Sequence, residues 1–220
     1  LRETKDRDLA QQASDPELRI YDMKPAHVTD AVTWPVSFLD SLNRLDYYLP
    51  TQWRAATPHS VASTSAIAYH FAKELRDSLK VPVGIIINAV GGAPTEAWID
   101  RETLERNLPA ILRHWRTNDY IMPWVRERAT QNLKLQDTPL ARHPYAPTYL
   151  FDTGIRPLAH YGLRGVLWYQ GESNAHNVEA HEQLFPLLTS SWKNYFGSNL
   201  SFYYVQLSSI NRPTWPHFRD

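Results

Sequence analysis

The residues Gln170-Gly-Glu-Ser-Asn174 place an amide, a carboxylate, a hydroxyl and a second amide side by side, directly after the apolar and aromatic run Arg164 to Tyr169. Such a run reads as a buried strand. A strand that ends in glycine and then polar side chains delivers them together at the C-terminal edge of a sheet, which in open parallel α/β sheets is where ligands bind. A second stretch has the same design: Val81 to Val90 reads as a strand and runs into Gly91-Gly92-Ala93-Pro94.

Two readings of the residues themselves compete. Gly171-Glu-Ser-Asn-Ala175 is one residue short of the G-x-S-x-G nucleophile elbow, which would make Ser173 a nucleophile. The acid and base would then come from Glu179, His181, Glu182, His217 or Asp220, a thin supply. On the other reading Gln170 and Glu172 are loop residues that cap backbone groups, although polar groups clustered so close to buried residues need partners or a role. His176 and His181 are not four apart, so they do not share a helix face, and no carboxylate cluster completes a metal site.

The positioning elements follow from periodicity. Leu18 to Met23 alternates as a short strand, after a polar start over residues 1–17. Residues 24–58, with Pro25, Pro35, Pro50 and Pro58, read as a long irregular excursion, of a length that hints at a function or at a wall for a site. Ser60 to Lys80 is the clearest helix, with Ile67, Phe71, Leu75 and Leu79 recurring every fourth residue. Val81 to Val90 reads as a fully buried strand of a parallel sheet. Helical segments run from Asp100 to about Leu135 with breaks at Pro109 and Pro123, and a short helix falls within Tyr149 to His160. Val178 to Phe196 is an amphipathic helix that Pro186 should delay or kink, and Leu200 to Leu207 is a further strand. Alternating strands and helices predict one α/β domain over residues 1–220.

Basic and acidic residues balance at 23 each and are interspersed, so no basic stripe points to nucleic acid or an anionic membrane. The absence of cysteine removes disulfides, thiol catalysis and thiolate metal sites. No apolar run approaches the length of a transmembrane helix. The chain opens on Leu1 rather than Met and closes at Asp220 shortly after a strand, so both ends are expected to be processed or fragment ends.

Trp168-Tyr-Gln-Gly-Glu-Ser-Asn174 resembles the signature of the sialate O-acetylesterase-type carbohydrate esterases, a branch of the SGNH/GDSL hydrolases. Val81-Pro-Val-Gly-Ile-Ile-Ile-Asn-Ala-Val-Gly-Gly-Ala-Pro-Thr-Glu-Ala-Trp98 is similar to that family's V-P-V-G-L-I-N-x-x-x-G-G-T-P-I-E-A-W. The helix around Ala66 to Leu75 and the Phe185 to Trp192 stretch agree, so the resemblance runs from about Leu18 to the end. It implies a three-layer α/β/α sandwich with a mainly parallel sheet, of SGNH-hydrolase (flavodoxin-like) type. It also implies acyl transfer through an acetyl-serine, with no metal and no cofactor.

Carried over by residue, the resemblance makes Gly92 and the Gln170 amide oxyanion donors. Glu172 becomes the carboxylate that orients the catalytic histidine or holds the loop. Gly91 and Asn174 stand on the substrate side, Asn174 chiefly shaping the loop, and Glu96 and Trp98 hold the glycine turn. Ala93 replaces a small hydroxyl residue of the family and Val90 a tryptophan. The family's Gly-Gln-Ser-Asn-Met loop and its Asp-x-x-His do not occur here; His217-Phe-Arg-Asp220 has the two residue types in reverse order. The nucleophile and base are therefore expected outside these residues, in further sequence or in a companion chain. The implied substrate is an acetylated sugar, O-acetylated sialic acid first and acetylxylan second, which points to a periplasmic or secreted protein. The rival of another class is a carbohydrate-binding module that kept the scaffold without the catalysis.

Overall fold

The computed structural model describes residues 7–208, 212 and 214–219. In chain order its elements are α1 (Arg7–Gln11), β1 (Asp15–Met23), α2 (Val36–Asn43), β2 (Arg54–Ala56), α3 (Pro58–Ala62), α4 (Ala66–Leu79), β3 (Val83–Asn88), α5 (Arg101–Asn107), α6 (Pro123–Asn132), β4 (Gly165–Trp168), α7 (Val178–Phe196), β5 (Ser201–Tyr204) and α8 (Trp215–Arg219). Single 3-10 turns lie at Thr95–Trp98, Pro109–Leu112 and Arg156–Leu158, and one π turn at Phe151–Ile155. The chain groups into two compact units, Leu1–Ala26 with Tyr48–Ala89, and His27–Tyr47 with Val90–Asp220.

In the first unit the strand order is β2-β1-β3. β1 runs antiparallel to β2 and parallel to β3, with Leu18 opposite Val83 and Met23 opposite Asn88. Alternation along β1 sends Leu18 and Ile20 inward. They pack with Ala56, Val61, Tyr69 and Ala72, against which Val83, Ile85 and Ile87 close.

The helix predicted over Ser60 to Lys80 is broken into α3 and α4. The reason lies in the hydroxyls between them: Thr64 Oγ1 donates to the Ser60 carbonyl at 2.7 Å, and the Ser65 side chain caps α4 by accepting from the Ala68 N–H. α4 buries Tyr69 and Ala72, whereas Ile67, Phe71 and Leu79 of the predicted stripe are 48%, 36% and 59% exposed. Small Ala72 lets the helix approach the sheet, and period alone does not say which of two apolar faces turns inward. β3 is likewise half-buried rather than fully buried, because among the described residues it pairs only with β1.

In the second unit β4 and β5 pair in parallel from Gly165 opposite Ser201 to Trp168 opposite Tyr204, joined through α7. Asn177 caps α7 by accepting from the Ala180 N–H at 2.9 Å, so the helix starts at Val178 despite Pro186. Pro186 sits on the exposed face, where the carbonyl it frees meets water rather than the core. Leu184, Leu188 and Trp192 form the buried stripe. The predicted excursion over 24–58 contains regular structure after all, namely α2 and β2. α2 buries Phe38, Leu39 and Leu42 beneath an aromatic cluster in which Trp34 meets Phe38 edge-on at 5.1 Å and Tyr47 meets Tyr149 at 6.0 Å. Its period was hidden by the surrounding prolines and aromatics.

Parallel strand pairs bridged by helices place the chain in the α/β class. Leu42 is fully buried and its carbonyl accepts the Tyr149 hydroxyl at 3.1 Å. Leu42→Ala should cost about 2–5 kcal/mol, read as a lower denaturant midpoint with unchanged slope.

Candidate active site

β4 carries Trp168 into the interior, and the Val205 N–H donates to the Trp168 carbonyl at 2.9 Å to close the end of the strand pair. Beyond it, Asn174 N–H donates to the Gly171 carbonyl at 2.9 Å, making a turn that sends Ser173 and Asn174 inward and leaves Glu172 outside. The second loop turns at Gly91-Gly92, where Ala93 N–H donates to Val90 O at 3.2 Å, and then enters the 3-10 turn Thr95–Trp98. Gly92 has φ +73°, and a Cβ on it would lie 2.5 Å from both the Trp124 ring and the Tyr145 hydroxyl. Only glycine fits.

The two loops are tied together by side chains. Ser173 Oγ donates to the Gly92 carbonyl at 2.8 Å. Gln170 Nε2 donates to the Ala93 carbonyl at 3.2 Å and to Asn174 Oδ1 at 2.7 Å, while its Oε1 accepts from Thr95 Oγ1 at 2.8 Å. Asn174 Oδ1 also accepts the Thr95 N–H at 2.9 Å, and Asn174 Nδ2 donates to Glu96 Oε2 at 2.9 Å. Both amide orientations are fixed by groups with one role only: the Ala93 carbonyl must face an N–H2, and the Thr95 N–H must face an oxygen.

Glu96 is fully buried, and burial pushes its carboxyl up to about 7, against the opposing pull of its own N–H and the Asn174 amide. Its backbone carbonyl accepts the Thr148 N–H at 2.9 Å. The turn is held from behind by tryptophans. Trp192 Nε1 donates to the Trp98 carbonyl at 2.8 Å, and Trp168 stands edge-on to both Trp98 (6.2 Å) and Trp192 (6.0 Å).

Gly91 is held from the other side, its carbonyl accepting Thr29 Oγ1 and the Tyr145 hydroxyl, each at 2.7 Å. Tyr145 depends in turn on His143, whose Nδ1 accepts the Tyr145 N–H at 3.0 Å and whose Nε2 meets Asn132 Oδ1 at 3.2 Å. These partners require the Nε2-protonated neutral tautomer. Burial holds the imidazole well below its ordinary range, and the Arg116 charge adds to the effect. Beside Gly92, Trp124 is 41% exposed with the Arg128 guanidinium 5.0 Å over its ring.

The structure thus brings Gly91, Gly92, Gln170 and Asn174 into one cluster, and turns Glu172 away. Gln170 is half-buried with both Nε2 hydrogens engaged inward. The N–H groups of Gly91 and Gly92 find no acceptor among the described residues. Asn174 is 3% exposed and sits behind the loop surface. Glu172 is exposed and makes no hydrogen bond or ion pair among the described residues; Asn174 and Ser173 hold the loop instead. Ser173 is buried with its hydroxyl donated to Gly92, which is a tether and not an exposed nucleophile elbow.

Of the base candidates, His181 is enclosed beside Phe218 and pushed down to about 4 by burial, His217 is exposed on α8, and Asp220 lies outside the described residues. Sequence reasoning missed Thr95, Tyr145, His143 and Asn132; nothing in the local pattern around Tyr145 signals a partner at Gly91. No group of three or more His, Asp or Glu side chains among the described residues could hold a metal ion, and no helix among them is long and apolar enough to cross a membrane.

Among solved structures, the chain is similar to the crystal structure of a carbohydrate acetylesterase from Xanthomonas citri, with a TM-score of 0.67 and 24% identity over 99% of this chain and 42% of that one. At that identity the likeness speaks to fold: the chain shares the α/β architecture of that structure. Among curated proteins, the sialate O-acetylesterase of Rattus norvegicus is 30% identical over 163 residues, 66% of this chain and 30% of that protein. The human sialate O-acetylesterase is 29% identical over 174 residues, 72% of this chain and 29% of that protein. The chain is thus similar to sialate O-acetylesterases over roughly two thirds of its length, and it spans about 30% of the length of these relatives. No protein-family model matches it.

Gly92→Ala should destabilise the fold by about 1–3 kcal/mol in chemical denaturation, because the new methyl strikes Trp124 and Tyr145 in a left-handed backbone conformation. His143 gives a pH signature. The unfolded chain takes up a proton below the ordinary value of 6.5 that the folded chain refuses, so the stability His143 contributes is full above 6.5 and drains away as pH falls. The stability difference between the native protein and His143→Gln should therefore shrink on acidification from that value; a difference constant with pH would exclude the assignment.

Proposed function

We propose that the protein to which this chain belongs is a carbohydrate esterase that removes O-acetyl groups from a sugar. O-acetylated sialic acid is the first candidate substrate and acetylated xylan the second. The observation that carries the reading is the meeting of the two strand-end loops: the unengaged Gly91 and Gly92 N–H groups lie on the loop that Ser173 and Gln170 tether. Backbone N–H groups without an internal acceptor at a rigid glycine turn are what an acyl-transfer oxyanion requires. At Gly91, where nothing stands within 4 Å of the place a Cβ would take, the turn leaves room for close approach of a ligand, and exposed Trp124 against Gly92 offers an aromatic surface for a sugar ring.

On this reading an acetyl ester is attacked by a serine hydroxyl outside the two loops, with a histidine accepting the proton. The carbonyl oxygen, turning to oxyanion, is met by the Gly92 N–H, and the acetyl passes to the serine as the sugar hydroxyl leaves. Water then releases acetate. Gln170 contributes its amide once the longer of its two inward bonds, that to Ala93 at 3.2 Å, is exchanged for the oxyanion. The serine and histidine come from elsewhere in the same protein or from a companion chain. Sugar substrates of this kind place the protein in the periplasm or outside the cell.

One observation favours a second reading. Gln170 has both amide hydrogens committed inward, as a scaffold that only binds carbohydrate would allow.

The experiment is acetate release by the full-length protein from O-acetylated sialic acid and from acetylated xylo-oligosaccharides. Gln170→Ala should lower kcat by about a hundredfold or more with the fold intact, whereas Ser173→Ala should retain turnover in whatever protein remains folded. Sugar binding without acetate release would establish the scaffold reading in its place. Near-normal turnover in Gln170→Ala would remove that residue from the site.

A further inference from the structure

Glu96 is a fully buried carboxyl with an unusual share of partners: Oε2 accepts the Asn174 amide at 2.9 Å, and Oε1 meets no hydrogen-bond donor among the described residues. A carboxyl in such a place is expensive if its only task is to fill space, since an apolar or amide side chain would fill it without a charge to desolvate. What Glu96 touches gives it another task. Asn174 Oδ1 grips Gln170 Nε2 at 2.7 Å, closer than the Ala93 carbonyl at 3.2 Å, so Asn174 is the anchor of the Gln170 amide. The other end of the Asn174 amide is anchored by Glu96.

We propose that Glu96 is a positioning residue that acts through the Asn174 amide to set the direction and strength of the hydrogen bond holding the Gln170 side chain at the strand end. A carboxylate accepting from Nδ2 polarises the amide and makes Oδ1 a better acceptor toward Gln170 Nε2 and the Thr95 N–H. The protonated carboxyl still accepts through Oε2 but polarises less. Among the described residues no charged group contributes to the carboxyl's shift: burial, its own N–H and Asn174 account for it, so a change in its charge is felt first by Asn174. The consequence for turnover rests on the esterase reading, while the geometry of the chain Glu96, Asn174, Gln170 does not.

The test uses the full-length protein with Glu96→Gln, Asn174→Asp and the double variant, and follows the Gln170 side-chain N–H2 resonances alongside thermal unfolding. In the native protein these resonances should shift with pH around 7, and in Glu96→Gln that shift should vanish with Tm retained. Asn174→Asp sets two carboxyls against each other at a 2.9 Å contact, which should displace the Gln170 resonances and lower Tm. The double variant reverses donor and acceptor across the same contact, the amide now at position 96 giving its N–H to the carboxylate now at position 174, and should bring both readouts back toward native.

A merely structural Glu96 would leave the Gln170 resonances in Glu96→Gln as pH-dependent as in the native protein, and that result overturns the proposal. So does a double variant no closer to native than Asn174→Asp alone, a comparison that stands even where Glu96→Gln fails to fold. If the protein releases acetate, Glu96→Gln should lower kcat by about tenfold with KM little changed. If it releases none, the esterase reading fails and the resonances still decide the role of Glu96.

Discussion

The Asn174 side-chain amide is the fixed point of this structure. Its oxygen accepts from the Thr95 backbone and from Gln170, and its nitrogen donates to Glu96; the bonds to Thr95 and Glu96 are buried and the one to Gln170 partly so. A buried amide with its partners in place rigidifies its surroundings, and each partner left unpaired would cost about 1–3 kcal/mol. The orientation of Gln170, the path of the Thr95–Trp98 turn and the burial of Glu96 all depend on it. Losing Asn174 would loosen both loops at once, where losing Ser173 would release only the Gly92 carbonyl.

Around that point the fold supplies rigidity by different means on each side. On one side the tryptophans at 98, 168 and 192 pack edge to face, and the Trp192 N–H holds the Trp98 carbonyl, so α7 and β4 share responsibility for the turn. On the other side Tyr145 and Thr29 hold the Gly91 carbonyl, and Tyr145 is itself set by the neutral imidazole of His143. With the Gly91 carbonyl held by Thr29 and Tyr145, the Gly92 N–H of the same trans peptide points the opposite way, and it finds no acceptor among the described residues.

The opposite displacements of Glu96 and His143 come from the same cause. Removal from water disfavours charge in either sign, raising the carboxyl and lowering the imidazole. They have different consequences. The neutral imidazole satisfies both of its neighbours, and protonation would break a bond. The carboxyl accepts from Asn174 in either state, so its titration near neutrality changes the strength of a bond and keeps its connectivity.

Much of this was legible in the residues. The strands β3 and β4 lie within the stretches read as strands, and the C-terminal end of α7 and the proline breaks of the middle segment follow from period and proline geometry, although Pro186 did not delay the start of α7. Those are local properties, encoded within a few residues. The sequence did not say which face of α4 turns inward, since Ile67 and Phe71 are as apolar as the buried Tyr69 and Ala72. Nor did it say which polar residue of Gln170 to Asn174 is a hub and which faces water. Glu172 and Asn174 are equally polar and two positions apart. One turn separates them, and the partner that makes Asn174 a hub lies 79 positions away at Thr95. A buried polar side chain is defined by its distant partners, so only the tertiary structure could assign it.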